Sequence, residues 1–306
     1  MSLTSRLRHK AFKHLRKWFT YHFPNPGMNH KPESVIATQH ASSSYSGDIG
    51  TAFDYLFRFK IEQNSGVKEE TGPETWVAYK SYQNLTPKYK RMAKLKFELA
   101  KKCYNDFIKE NVVNNDLFAS CLFLNQLDIM YRTGYVFDDF GDDNPDKIEE
   151  LRLIFENVDW SQFSFDSNNV LNPVFGGVIE NVSADADFIM GKTLIELKCV
   201  KQIKLERFHL NQLISYCLLN LLKPKKEQYE IDKIGIYFAR ADYLWLMKLE
   251  DFYDKKELKK RAEEFEQLIT NPHLDLSPEK PGKRSVSNSL EGQETLERIK
   301  KLFDKK

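Results

Sequence analysis

The spacing of hydrophobic residues changes about halfway along the chain. Before residue 174, apolar positions recur every three or four residues over long stretches, which predicts helices. One such helix follows Gly50, and the two clearest stretches are KYKRMAKLKFELAKKCYNDFI (88–108) and DLFASCLFLNQLDIMYRTG (116–134). After Val174 the apolar runs are short, rich in β-branched and aromatic residues, and bounded by turn residues, which predicts strands. A helix-rich section therefore precedes a β-rich one.

The β-rich section has a definite order of elements. Three predicted strands, FGGVIENV (175–182), ADADFIM (184–190) and TLIELKCV (193–200), come first. A long apolar helix from Leu205 to Leu222 follows, and then the strand KIGIYFAR (233–240), which DYLWLMKL (242–249) would extend as a hairpin. The charged stretch KKELKKRAEEFEQLI (255–269) is expected to be a surface helix. The predicted order is three strands, a helix and a strand.

Turn-rich segments suggest where the chain divides. Residues 1–46 are predicted to be a basic helix, at about residues 5–20, followed by a linker rich in Pro, Asn, Gly and Ser. Residues 47–270 are expected to form one domain that carries a helical insertion at about residues 60–173. Residues 271–306 have the composition of a flexible linker before a last short helix.

Composition excludes several classes of protein. The 306 residues are 41% apolar, which is enough for an ordinary globular core. The formal net charge is only +2, so a nucleic-acid surface would have to come from local clusters of basic residues. No apolar run approaches the length of a membrane span, and the basic N-terminus lacks the apolar core of a signal peptide. We therefore expect a cytoplasmic protein without a membrane partner.

The cysteines support the same compartment. The chain has four, at positions 103, 121, 199 and 217, and none forms a CxxC pair. Neither a disulfide framework nor a zinc or iron–sulfur site is indicated, and widely separated thiols suit a reducing cytoplasm.

The segment SADADFIMGKTLIELKCV (183–200) holds unusual charges for an apolar hairpin. Alternation along strands places Asp185 and Asp187 on one face of the first strand, and Glu196 and Lys198 on one face of the second. A turn at Met190–Lys192 would bring Asp187 beside the Glu196–Lys198 pair. Two carboxylates are the ligands that Mg²⁺ uses when it also binds phosphate, and a nearby lysine can orient water and stabilise phosphate charge. Asp185 remains an alternative to Asp187.

These residues resemble the signature of the PD-(D/E)XK nuclease superfamily, an acidic residue on one strand and E-x-K on the next. Here the signature is Asp187 and ELK, Glu196 to Lys198. The superfamily core is a helix, three strands, a helix and a strand, and the predicted elements follow that order. Gln212 and Tyr216 in NQLISY resemble the Q-x-x-x-Y element of the RecB-like branch. GTAFD, Gly50 to Asp54, resembles the branch's glycine-led helix, although the branch commonly has histidine at the position of Asp54.

The resemblance implies an α/β restriction-endonuclease-like core with a large helical insertion, and a divalent-metal-dependent nuclease acting on nucleic acid, most often DNA. It implies Mg²⁺ or Mn²⁺ bound by Asp187 and Glu196, with Asp54 and the Leu197 carbonyl as further ligands. Lys198 would position the hydrolytic water, and Gln212 and Tyr216 would support the site. Nucleases of this branch serve repair, recombination, mobile elements and phage defence. No helicase motif is present, so any motor would be a separate partner protein.

Basic residues between the Asp54 helix and the hairpin suggest a substrate surface. Lysines and arginines are dense from Lys88 to Lys102, and Tyr89, Phe97 and Tyr104 are interleaved with them. We expect Lys90, Arg91 and Lys94 to contact phosphates, and an aromatic side chain to stack on bases. The N-terminal basic helix is the next candidate for this surface.

Less specific interpretations remain open. Asp187, Glu196 and Lys198 would also suit a cross-strand ion pair on a solvated face, and Asp54 would suit a surface pair with Arg58 one turn later. At the level of function, the alternative is a catalytically inactive nuclease-fold module that binds nucleic acid or a protein partner.

Overall fold

A computed structural model describes residues 1–28, 32, 46–65, 72–136, 138–251 and 255–276 of the chain. This part of the protein is an α/β structure in which one mixed sheet lies among helices. Its α-helices are α1 (Leu3–Arg8), α2 (Lys13–His22), α3 (Ser46–Ser65), α4 (Val77–Gln83), α5 (Pro87–Glu110), α6 (Asn115–Thr133), α7 (Pro145–Glu156), α8 (Arg207–Leu222) and α9 (Lys255–Thr270). Its strands are β1 (Val170–Leu171), β2 (Phe188–Met190), β3 (Thr193–Lys198), β4 (Lys233–Phe238) and β5 (Tyr243–Lys248).

The sheet has the strand order β1-β2-β3-β4-β5. Strands β1, β2 and β3 form an antiparallel meander, and β4 and β5 form an antiparallel pair. Strands β3 and β4 run parallel, because the chain returns to the sheet through α8 between them. Strand β3 therefore lies at the centre of the sheet, with neighbours on both sides.

Helices cover both faces of the sheet. Ile195 and Tyr237 point into a hydrophobic core built with α3 to α7, whereas Leu194 and Ile236 point into a second core built with α1, α2, α8 and α9. This alternation is what a strand buried on both faces requires. Helices α3 to α7 therefore form one outer layer, and helices α1, α2, α8 and α9 form the second.

Most of the predicted elements are present. The stretch 88–108 lies within α5, and the stretch 116–134 matches α6 up to its C-cap Gly134. The helix after Gly50 lies within α3, and the apolar helix from Leu205 corresponds to α8. KIGIYF forms β4, and the following segment forms β5 as its hairpin partner. Helix α9 lies at the surface as expected, with Leu258, Phe265 and Ile269 buried against the second core.

The first predicted strand is wrong. Residues 175–182 form turns, and the first strand of the sheet is β1, at Val170–Leu171. Gly177 and Asn181 have positive φ angles of 88° and 60°, which extended strands do not use. A Cβ on Gly176 would lie 3.0 Å from the backbone nitrogen of Ala184, so the chain folds tightly back on itself here. Phe175 and the other apolar side chains of this turn still reach the second core.

The predicted N-terminal basic helix is two helices. His9 has an extended backbone (φ −68°, ψ 136°), which ends α1, and a short 3₁₀-helix leads into α2. Both helices bury apolar side chains in the second core, so residues 3–23 share that core with the sheet. The guanidinium groups of Arg6 and Arg16 donate hydrogen bonds to main-chain carbonyl groups. Arg6 bonds the carbonyl of Ile269, and Arg16 bonds that of Leu7.

The described helices include none that is long and apolar enough to cross a membrane. Most of the predicted linker before Ser46, most of the linker from residue 271 and the predicted C-terminal helix lie outside the described residues.

Candidate active site

Asp187 and Glu196 lie side by side at one end of the sheet. The antiparallel register pairs Phe188 with Ile195, so the residues that flank this pair, Asp187 and Glu196, are also neighbours. The backbone N–H of Leu197 donates a hydrogen bond of 2.7 Å to Oδ2 of Asp187. This bond fixes the carboxylate against the edge of β3, as the predicted hairpin required.

Lys198 completes the cluster. Its Nζ donates to Oε1 of Glu196 at 2.7 Å, and the side chains are only 17% and 5% exposed. The pair is therefore not the exposed ion pair that a solvated strand face would carry. Burial alone would lower the pKa of Lys198, but the Glu196 and Asp187 carboxylates outweigh burial and raise it. Lys198 is accordingly a cation at neutral pH.

The environment of Asp187 disfavours the ionised form of its carboxyl group. Burial, followed by the nearby carboxylates of Glu196 and Asp54, raises the pKa of Asp187 well above its usual range, and Lys198 only partly opposes them. Three carboxylates from three segments thus lie together, with Lys198 bonded to Glu196 and Arg58 bonded to Asp54 as their two cationic partners. Such a cluster favours an additional cation.

Asp54 reaches this cluster from α3. The helix passes close to the end of β3, since a Cβ on Gly50 would lie 3.9 Å from Cβ of Cys199. Asp54 lies one turn further along, and its Oδ2 accepts a 2.8 Å bond from the Arg58 guanidinium. Arg58 is buried and lies over the Tyr55 ring, so this pair is internal and not the surface pair that the spacing also suited.

Two carboxylate oxygens in this cluster are buried without a hydrogen-bond partner: Oδ1 of Asp54 and Oε2 of Glu196. Buried carboxylate oxygens are normally satisfied, because an unpaired one carries the full cost of its lost hydration. Within the described residues, no three His, Cys, Asp or Glu side chains already form a group that could hold a metal ion. Lys198, Arg58 and the Leu197 N–H each donate a hydrogen bond to one oxygen of Glu196, Asp54 and Asp187, respectively.

Gln212 and Tyr216 act on the segment that precedes β2. Nε2 of Gln212 donates to the Tyr216 hydroxyl at 2.9 Å, and that hydroxyl donates to the carbonyl oxygen of Asp185 at 2.7 Å. Both side chains are buried. They therefore hold the main chain two residues before Asp187, and their hydrogen bonds do not extend to Lys198.

The structure separates Asp185 from Asp187. Burial raises the pKa of Asp185, and the charges that oppose this are Arg132 and Lys80, which belong to the helical layer. Because β2 begins only at Phe188, Asp185 and Asp187 do not share a regular strand face. Asp187 is the aspartate that faces Glu196.

The basic surface on α5 is present, but two of the three aromatic residues interleaved with it are buried. Lys90, Arg91 and Lys94 are exposed and form no ion pair with the described part of the chain. Phe97 and Tyr104, however, are buried in the helical core, and the Tyr104 hydroxyl donates to Glu62. Phe97 and Tyr104 are therefore not available to stack on bases, because they pack the inner face of the same helix. The half-buried Tyr89 is the remaining candidate for the expected stacking.

Two further residues lie beside Lys198. His209, near the start of α8, is 7% exposed, and its Nδ1 has no hydrogen-bond partner. Burial and then Lys198 lower the pKa of His209 to about 4, and Arg8 of α1 acts in the same direction. The sequence contained a signal for His209, because it lies three residues before Gln212 and seven before Tyr216, on one helical face. It contained none for Arg8, which only the packing of α1 on α8 brings here.

A cavity of about 510 Å³ lies away from these residues. It opens where β4 begins, at the end of the sheet opposite Lys198, and Asn220, Lys233 and Leu258 are among its lining residues. None of the predicted site residues contributes to it.

Comparison with known proteins returns no match among family models, curated proteins or solved structures.

Proposed function

We propose that this protein is a divalent-metal-dependent nuclease that hydrolyses phosphodiester bonds in nucleic acid, with DNA as the expected substrate. The observation that carries the proposal is the carboxylate cluster with two unsatisfied oxygens, on Asp54 and Glu196, beside an Asp187 whose pKa is strongly raised. A cation with oxygen ligands would satisfy both oxygens and relieve the repulsion among the three acids.

The donor set suits Mg²⁺ or Mn²⁺. Asp54, Asp187 and Glu196 would supply carboxylate oxygens, and the Leu197 carbonyl would supply a fourth oxygen. Hard divalent ions prefer oxygen ligands and keep some water molecules when they bind phosphate. A bound ion of this kind supplies a Lewis acid, which polarises the phosphoryl group and favours ionisation of an attacking water.

Lys198 is the candidate catalytic cation of the protein itself. Its ammonium is held by Glu196 and is charged at neutral pH, because the neighbouring carboxylates raise its pKa. It would orient the attacking water and stabilise the additional negative charge that develops on the phosphate in the transition state. Gln212 and Tyr216 are positioning residues, because they hold the main chain that leads to Asp187.

The order of elements supports the resemblance to the PD-(D/E)XK superfamily. Helix α3, strands β1 to β3, helix α8 and strand β4 follow one another as in the superfamily core, with α4 to α7 inserted after the first helix. Pathway and partners rest on that resemblance alone: repair, recombination, mobile elements and phage defence are all compatible with it, as is a separate motor protein.

A nuclease assay with Mg²⁺ or Mn²⁺ tests the proposal. We expect Glu196→Gln and Lys198→Met each to lower the cleavage rate at least about 100-fold. Lys192 and Glu230 form a matched control, because they make a 2.8 Å ion pair that is 59% and 78% exposed. Lys192→Met and Glu230→Gln should cleave as the wild type does. Equal rates in all five proteins would exclude this site as the nuclease centre.

Metal-binding calorimetry separates the nuclease from the alternative, an inactive nuclease-fold module that binds nucleic acid or a protein. The nuclease should bind Mn²⁺ at a site that Asp187→Asn abolishes. Nucleic-acid binding without such a site, and without cleavage, would favour the binding module.

A further inference from the structure

The start of α8 lies beside Lys198 with its backbone donors uncapped. This helix has 16 residues, and Glu206, at its N-cap position, makes no side-chain capping hydrogen bond. The first N–H groups of a helix have no partner within the helix, and the helix dipole makes this end attractive to anions. A helix end alone does not define a site, but two side chains here point to an anionic ligand.

Arg8 is the first of these. Its guanidinium lies over the ring of Phe208, the second residue of α8, at 4.3 Å from the ring centroid. The side chain is exposed, and it forms no ion pair with a carboxylate of the described chain. Stacking on an aromatic ring fixes the plane of a guanidinium and leaves its N–H groups free to bind phosphate oxygens.

His209 is the second. Its ring lies next to that of Phe208, with the centroids 5.9 Å apart, and its Nδ1 is buried without a partner. The nearby Glu206 carboxylate opposes the positive charges around His209, and it is exposed and pairs with Lys204 at 3.2 Å. Arg8, Lys198 and the helix end thus act together on His209, against the exposed Glu206 carboxylate, and Lys198 is also paired with Glu196.

We propose that Arg8, His209 and the first N–H groups of α8 form a phosphate subsite beside Lys198, which binds a second phosphate of the nucleic-acid substrate. This inference rests on the proposed nuclease function. A nucleic-acid strand carries a phosphate at every nucleotide, so a second phosphate always lies near the one that is cleaved. The subsite would fix the path of the strand across the C-terminal end of β3. The second phosphate is either an internal backbone group or a terminal 5′-phosphate.

Binding without cleavage tests the subsite. The full chain, in EDTA, is titrated against a single-stranded oligonucleotide with a 3′ fluorophore, carrying either a 5′-phosphate or a 5′-hydroxyl, at 50–200 mM salt. Arg8→Ala should weaken binding at least about fivefold and reduce the log–log salt slope by about 0.7, the value of one lost phosphate contact on a single strand. The control is Lys226→Ala, which removes one exposed positive charge beyond the other end of α8. Arg8→Lys should restore the slope.

The two oligonucleotides separate the sources of the phosphate. An equal loss with both supports an internal backbone phosphate, and a loss confined to the 5′-phosphorylated strand supports a terminal one. If Arg8→Ala binds both strands as Lys226→Ala does, the subsite is excluded.

A second measurement does not depend on the oligonucleotide. Inorganic phosphate should shift the imidazole NMR signals of His209 in the wild type and in Lys226→Ala, and not in Arg8→Ala. Thermal melting of Arg8→Ala checks that the variant is folded, and Arg8→Gln replaces it if it is not. If the wild type cleaves nucleic acid with metal but Arg8→Ala binds the oligonucleotides as tightly as the wild type does, only the subsite is contradicted. A wild type that shows the Arg8-dependent slope without metal-dependent cleavage contradicts the proposed function alone.

Discussion

Arg58 holds a buried charge next to the candidate site. Its guanidinium bonds Asp54 and stacks on Tyr55, whose hydroxyl donates to Asp128 of α6 at 2.8 Å. The sequence predicted the spacing of Asp54 and Arg58. It did not predict their burial, because that depends on Tyr55 and Asp128, and Asp128 belongs to another helix.

Removing the Arg58 charge should destabilise the fold. We expect Arg58→Met to lower the free energy of unfolding by about 3 kcal/mol, since it leaves the Asp54 carboxylate partly buried without its cation. Urea unfolding of the two single variants and of Asp54→Asn/Arg58→Met measures the coupling. The double variant should recover part of the loss. Strict additivity would show that the two side chains do not stabilise each other.

The Tyr216 hydroxyl has two partners, the Gln212 amide and the Asp185 carbonyl. Tyr216→Phe should therefore cost about 1–3 kcal/mol in unfolding free energy, because both partners lose a buried hydrogen bond. It should also slow cleavage, since the main chain before Asp187 is less firmly held. Tyr243→Phe is a suitable control on a partly exposed tyrosine of β5. Unchanged cleavage in a destabilised Tyr216→Phe would limit this residue to a structural role.

At the scale of elements, helix α5 presents two faces. Its inner face packs Phe97 and Phe107 into the helical core, and its outer face exposes Lys90, Arg91 and Lys94. The sequence revealed the density of basic residues. The burial of Phe97 and Phe107 depends on the helical repeat and on the helices that pack against α5.

The outer face of α5 should contribute to DNA binding. Replacing Lys90, Arg91 and Lys94 together by glutamate should weaken binding and reduce the salt slope by about 2–3, because each lost phosphate contact removes roughly 0.7 to 0.9. Metal binding should be unchanged. The control replaces Lys225, Lys226 and Lys259, which are exposed on other elements. An unchanged slope in the α5 variant would place the substrate on another face.

The contact between α2 and α9 should make stability depend on pH. Burial lowers the pKa of His22 to about 4, and Arg261 and Lys260 act in the same direction while Glu264 opposes them. Between about pH 6.5 and pH 4 the unfolded chain therefore binds a proton at His22 that the folded chain does not bind. The stabilisation that comes from keeping His22 neutral is therefore complete above about pH 6.5, and it is lost as the pH falls towards 4.

Urea unfolding at several pH values measures this effect. The free energy of unfolding of the wild type should decrease between pH 7 and pH 5, and His22→Gln should show a shallower decrease. His273→Gln, which alters an exposed histidine beyond α9, is the control. Identical slopes in wild type and His22→Gln would show that His22 does not contribute.

The elements differ in how well their patterns predicted them. Strands β3 and β4 and helix α8 were predictable, because they are apolar runs bounded by turn residues and buried almost throughout, whereas only the last three residues of the predicted strand 184–190 form β2. Residues 175–182 have equally apolar side chains, and yet they form turns. The positive φ of Gly177 and the close approach of Gly176 to Ala184 decide this, and neither is visible in hydrophobicity alone.

In the whole molecule, the N-terminal helices belong to the core of the sheet. Trp18 and Phe19 are fully buried, and Nε1 of Trp18 donates to Glu264 of α9. Deleting residues 1–23 should therefore prevent stable folding, since each large buried side chain contributes about 1.5–3 kcal/mol and whole domains are stable by only 5–15. Circular dichroism and gel filtration would detect the loss. A truncated chain with the melting temperature of the wild type would contradict this prediction.

The same dependence could not be deduced from the sequence, in which residues 1–46 suggested a separate basic segment. The Arg207 guanidinium bonds the carbonyls of Phe19 and Phe23, and Asn25 bonds the carbonyl of Leu205 at 2.9 Å. These contacts join residues about 180 positions apart, so no local pattern indicates them.

The bond from Arg6 to the carbonyl of Ile269 has a consequence for synthesis of the chain. Residues 1–23 leave the ribosome well before α8 and α9, and yet their apolar side chains can be buried only after those two helices have emerged. During that interval Trp18 and Phe19 are exposed on a basic, aromatic segment, a state that favours aggregation or chaperone binding. Asp54 is likewise synthesised long before β3 and α8. The candidate active site is therefore complete only after α8 has been made. Under the proposed nuclease function, a nascent chain would therefore be inactive towards the nucleic acid around it.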